Sequence, residues 1–336
     1  MSLKTKSTNG KYTRKKSTRE QNTKKMSKGG LHLLVPWIQH NIKKLNWTML
    51  SSNSNAIEFL ETNQNKINWT ELSKNPNAIQ LLEVNQNKIN WLYLSANPNA
   101  MQLIETNLNK IVNHMLCRNT NPRIISLLEK KQQLIDWKEL SANPNAISLL
   151  TKHRNKIDWN YLSFNPNAIE LIQANEYTNR KHSKRTKTNW KNLSLNPNAI
   201  SLLENNINKI DWLCLSINPS ASAINILRKN QDKIIWHMLS LNPNAITILQ
   251  ENQDKIHWDI LSLNPNAIQL LEANQNKIHW DNLSSNPNAM HLLEANQNKI
   301  NWSILSSNPS IFTCNYHLHK ERRRMMEENI NHGITI

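Results

Sequence analysis

An all-α solenoid of about twelve 22-residue, two-helix repeats is the fold this sequence predicts. Three observations carry that reading: a tryptophan period, a recurring Asn-Pro pair, and apolar residues at helical spacing.

Trp47, Trp69, Trp91, Trp137, Trp159, Trp190, Trp212, Trp236, Trp258, Trp280 and Trp302 follow one another mostly at steps of 22 residues, and only Trp37 stands outside this register. Residues 68–89 are a clean copy. Asn75 is a good N-cap and Pro76 suits the first helical position, where its missing N–H costs nothing, so a helix starts there. Ala78, Ile79, Leu81 and Leu82 give it an apolar stripe, and Asn85, which tolerates the left-handed conformation, is the expected stop after about ten residues. A shorter helix comes first. Asn68-Trp69-Thr70-Glu71 and Asp136-Trp137-Lys138-Glu139 approximate a capping box, and this helix must end before Pro76. Helices of about six and ten residues are too short to stand alone, so burial of Trp, Leu and Ile against neighbouring units has to hold them. A mid-array ring such as Trp258 is therefore expected in the core. Asn63, Asn85, Asn107, Asn175, Asn252, Asn274 and Asn296 recur in register and are expected to form side-chain ladders along the array. Coupling through nearest neighbours predicts broad or split unfolding.

A leucine-rich-repeat-like solenoid is the competing fold, because the period is similar and each copy holds a Leu-Ser-x-Asn string. Its strand needs an apolar residue five positions before the Asn, where this chain places Thr48, Thr70, Lys138, Asn160 and Asp259. Those polar residues, and the Pro after the Asn, argue against it.

Departures from the period set the domain organisation. Residues 1–30 form a basic tail read as disordered; 31–45 match the second half of a unit, with Trp37 and Ile38 at the paired-leucine positions, and read as an N-terminal half-repeat cap. The solenoid proper spans 46–311, and 312–336 read as a C-terminal cap or tail, with a terminal helix expected over Tyr316 to Asn329. Asn113 replaces one Trp, two extra residues are placed before Pro122 and two around Ser220 to Ala223, and residues 177–188 read as a protruding basic loop.

The formal charge of +17 is concentrated outside the repeats. Residues 1–30 hold ten Lys or Arg against Glu20, and Glu176 to Lys187 hold five basic residues against one acidic. The remaining array is close to neutral. The tail clusters Arg14, Lys15, Lys16, Lys24 and Lys25, with Arg180, Lys181, Lys184 and Arg185 of the loop, fit an import signal or phosphate binding. Three separated cysteines support neither a disulfide framework nor a zinc knuckle. No apolar run suits a membrane span or a signal peptide, so a cytoplasmic monomer without cofactor is expected, with the nucleus as a second location.

No P-loop, GxGxxG, HExxH or nucleophile elbow occurs. His257 and His279 hold the cap position before Trp, and are read as cap substitutions rather than a metal bridge; His317 and His319 near Cys314 are read the same bland way. The position after Leu-Ser is more informative. It is Ser52, Lys74, Ala96 and Ala142 early and Ser285 and Ser307 late, but Phe164, Leu195, Ile217, Leu241 and Leu263 in five successive units. Equivalent positions align in a solenoid, so these five form an apolar column about 40 Å long, either a protein-binding groove or part of the core.

The motif Trp-x-x-Leu-Ser-x-Asn-Pro-Asn-Ala-Ile-x-Leu-Leu-Glu-x-Asn-x-x-Lys-Ile, as in Trp258 to Ile278, resembles short tandem-repeat proteins encoded by giant DNA viruses of amoebae, the mimivirus-like group. The resemblance covers roughly residues 34–311 and fits the Asn, Lys and Ile bias of AT-rich genomes. It implies a viral protein in the host cytoplasm and brings no activity with it. The expected function is a non-enzymatic protein-interaction scaffold with an unidentified protein partner; the alternative is a nucleic-acid-binding protein using the tail and loop.

Overall fold

The computed structural model describes residues 32–182 and 188–314, with side chains over 32–175 and 188–314. Two helices alternate through it in a repeated pattern, an all-α solenoid. In the unit at 68–89 the first helix is Trp69–Lys74, a 3-10 turn covers Pro76–Ala78, the second helix is Ile79–Glu83 and another 3-10 turn covers Gln86–Lys88. Asn68 Oδ1 accepts from the Glu71 amide and Asn75 Oδ1 accepts from the Asn77 amide, so both predicted caps form. The reciprocal arm of the capping box does not, because the Asn68 amide is taken by Ser51 Oγ of the preceding unit at 2.9 Å. Nor does Asn85 turn left-handed: at φ −127° it leads into the 3-10 turn while its side chain donates to Leu81 O.

That last bond corrects the expected ladder. Asn63, Asn85, Asn107, Asn252, Asn274 and Asn296 each donate to the carbonyl four residues back in their own helix and so close the helix rather than bridging units. The ladder belongs instead to the Asn of Asn-Pro. Asn75 Nδ2 donates to Ser51 O and Asn53 O, Asn97 repeats this on Ser73 O and Asn75 O, and these side chains are buried.

The ladder has no ends. Asn53, in the first full unit, donates to Ser306 O at 3.2 Å and Asn308 O at 2.9 Å, in the last. Twelve asparagines therefore form one closed circle through Asn53, Asn75, Asn97, Asn119, Asn143, Asn165, Asn196, Asn218, Asn242, Asn264, Asn286 and Asn308. A second circle runs beside it. Each Ser of Leu-Ser donates to its own Trp carbonyl where a Trp is present and accepts from the cap amide of the next unit, as Ser51 does from Asn68; Cys117 replaces Ser in one unit, and Ser306 receives Asn46 N across the closure.

The closing unit is shared between the two ends of the array. Its first helix is Trp302–Leu305, and its second helix, Pro36–His40, and 3-10 turn, Ile42–Lys44, come from the other end. Trp37 meets Trp302 edge-on at 6.0 Å between ring centroids, Lys44 lies over Trp302, and Asn41 donates to Trp37 O as its counterparts do. Strands β1 (His32–Leu34) and β2 (Phe312–Cys314) pair antiparallel, Leu34 opposite Phe312, and tie the seam. The half-repeat at 31–45 thus completes the final unit instead of ending an open rod.

Other expectations shift in detail. Among the described residues β1 and β2 are the only strands, so the leucine-rich alternative fails. The chain predicted as a loop from residue 177 continues the helix Ile169–His182; residues 183–187 lie outside the described residues, as do the tail and the expected helix over Tyr316 to Asn329. Asn121 still makes the bond of its register, to Pro98 O, so the two extra residues of that unit follow it and lengthen the helix Arg123–Lys130.

Leu50, Leu60, Leu72, Leu82 and their equivalents fill the core between the two helix layers. The periodic tryptophans are half-buried and packed on that core, most with one face covered by a lysine, whereas Trp137 packs on His153. Among the described residues nine Lys–Trp pairs, such as Lys277 over Trp258, have the ammonium 4.4–5.1 Å from the ring centroid. Lysine appears there because its long stem covers apolar surface while the charge stays wet. Trp258→Ala should accordingly cost about 2 kcal/mol in denaturant titration, below the ~3–5 kcal/mol of a fully buried ring.

Candidate functional site

Closure gives the molecule an inside. When units are related by rotation about one axis, the spacing between equivalent points is proportional to their distance from that axis. First helices such as Trp47–Ser52 and Trp69–Lys74 approach each other more closely than successive second helices do, so the first helices form the inner layer. At the ~8 Å lower end of helix packing distances, twelve of them stand roughly 15 Å from the axis. Subtracting a helix radius of about 5 Å leaves a bore on the order of 20 Å across.

Helical spacing fixes which residues face that bore. Within Trp-x-x-Leu-Ser-x the Trp, Leu and Ser turn to the core, leaving the second, third and sixth positions on the opposite side. The sixth position of one unit meets the third of the next: Lys74 Nζ lies 4.3 Å from the Tyr93 ring centroid, and Arg118 bonds Glu139 at 2.6 and 2.9 Å. This bidentate bond raises the Arg118 pKa above its ordinary value.

The predicted column occupies that sixth position. Phe164 is 43% exposed, and Leu195, Ile217, Leu241 and Leu263 are half-buried and stand outside the core cluster. They lie along a curve on the inner wall, across five of twelve units, rather than in a straight groove. Sequence reading missed their neighbours. At the third position Met238 and Ile260 are apolar and half-buried, Cys214 of the preceding unit is buried, and at the second position Leu213 is 44% exposed. An i, i+3 comparison within each first helix would have found them.

Arg180 and Lys181 lie on the extended helix; Arg14, Lys15, Lys16, Lys24, Lys25, Lys184 and Arg185 lie outside the described residues. His279 Nδ1 accepts from the Asn282 amide and acts as a cap, whereas His257 makes no cap bond and packs on His237, 5.3 Å between centroids. Among the described residues no three His, Cys, Asp or Glu gather to hold a metal, and no helix is long and apolar enough to cross a membrane.

Burial pushes the thiols of Cys117 and Cys214 up to about 11, because desolvation disfavours the thiolate. Cys314 is exposed. A disulfide reagent at neutral pH should therefore titrate one thiol fast, and C314S should remove that phase; two or three fast thiols would contradict the buried placement. Comparison with protein-family models, with curated proteins and with solved structures finds no match to this chain.

Proposed function

We propose that this chain is a non-enzymatic protein-interaction scaffold that holds a protein partner against the apolar arc of its inner wall. The supporting observation is the continuity of that arc: large apolar side chains at one register position in five successive units, outside the core, flanked by units with Ser, Ala, Lys or Arg there. Apolar surface of this extent, left unpacked by the fold itself, marks interaction sites. A closed array also has no free end unit on which further copies could stack, which fits a monomer.

The test changes Leu241 and Leu263 together to Ser, the residue that nearby units carry. Half-buried side chains at these sites should cost at most about 1 kcal/mol each. Folding should thus survive while capture of the native partner is lost. A fall of several kcal/mol would make the column core and end the proposal.

The ten basic residues among 1–30 favour a second reading, nucleic-acid binding through the tail. Salt-sensitive retention on DNA or RNA that disappears when the tail lysines and arginines become glutamine would support it. The ring itself is poorly suited. Glu71, Glu139, Asp259 and Asp281 balance Lys74, Arg118, Lys138 and Lys191 on the inner wall.

A further inference from the structure

The inner wall is neutral in sum but not uniform, and its pattern describes a partner. From the unit before the arc to the unit after it, the second position of successive first helices reads Lys138, Asn160, Lys191, Leu213, His237, Asp259 and Asp281. Leu213 marks the middle of the apolar arc. Exposed lysines stand to one side of it and exposed aspartates to the other. Lys191, Asp259 and Asp281 have no ion-pair partner among the described residues, and Lys138 stacks on Tyr161 at 4.9 Å. Elsewhere on the wall charges are paired: Lys74 with Glu71, and Arg118 with Glu139 beside Lys138.

We infer that the bore holds one amphipathic helix of a partner protein, its apolar stripe on the arc from Phe164 to Leu263, an acidic flank toward Lys138 and Lys191 and a basic flank toward Asp259 and Asp281. This rests on the scaffold reading and adds the chemistry of what is held. A helix about 10–12 Å in diameter fits a bore on the order of 20 Å when it lies off-centre on the arc. Polynucleotide fits worse, since it would face four carboxylates on a wall without net positive charge.

Three synthetic helical peptides of equal length test this against the full-length chain at low salt. All carry the same leucine stripe; one has Glu on one flank and Lys on the other, one Lys on both, one Glu on both. The mixed peptide should bind at least about fivefold tighter than either single-sign peptide, since several exposed charge pairs are gained together. In D259K/D281K both sides of the arc become basic, and preference should pass to the Glu-flanked peptide. L241S/L263S should weaken all three. Equal binding of the three peptides that is still lost in L241S/L263S would overturn the charge-read helix and leave the scaffold reading standing. Binding that ignores L241S/L263S, or no binding to any variant, would overturn both. If the mixed peptide binds only when Met325 and Met326 are changed to Ser, the arc belongs to the chain's own C-terminal segment and the partner helix is refuted.

Discussion

A chain carrying Ile38→Asp is expected to open into an arc. Ile38 is fully buried in the half-unit that completes the seam, and a carboxylate there would lose several kcal/mol with no partner to offset its desolvation. The change falls on one joint. The eleven units from Asn46 to Ile300 keep both halves and their neighbours, so helix content should fall little while the seam bonds of Asn53 to Ser306 and Asn308 are lost. Spin labels at exposed Gln39 and Asn298, on the two sides of the seam, would report a short, narrow distance in the parent and a long, broad one in the variant. An unchanged distance would refute closure as the role of the N-terminal half-repeat.

The second large effect belongs to the asparagine circle. Asn242 is fully buried, donates to Ser216 O at 3.0 Å and Asn218 O at 3.0 Å, and accepts from the Asn244 amide. Asn242→Ala leaves those groups unsatisfied in a site closed to water and should cost roughly 2–4 kcal/mol. Exposed Asn244, which donates to Pro219 O, is the control; Asn244→Ala should cost under about 1 kcal/mol by the same measurement. Equal costs would show that the circle is not special. Closure also revises the expected unfolding. An open array frays from terminal units, whereas here every unit has two neighbours, so the parent should melt in one narrow transition and Ile38→Asp in a broader one.

The sequence by itself determined the caps and the core face within one unit, though not the conformation and bond of Asn85. Asn68 and Asn75 are caps because Oδ1 reaches an amide two or three residues on, and Leu72, Ala78 and Leu82 are core because 3.6-residue spacing puts them on one face. The apolar position at Phe164, Leu195, Ile217, Leu241 and Leu263 was legible for the same reason, as a register shared by neighbours. Three things were not legible. The Nδ2 of Asn75 has no local target, so its bonds to Ser51 and Asn53 appear only when units stack. The exposure of one Trp face depends on Lys277 and its equivalents folding back from the far end of the unit. Above all, curvature is a small rotation per unit, set by how much closer the inner helices pack than the outer ones. It leaves no mark on any single repeat, and only its accumulation over twelve units brings Leu34 beside Phe312 and turns a rod with two ends into a ring with an inside.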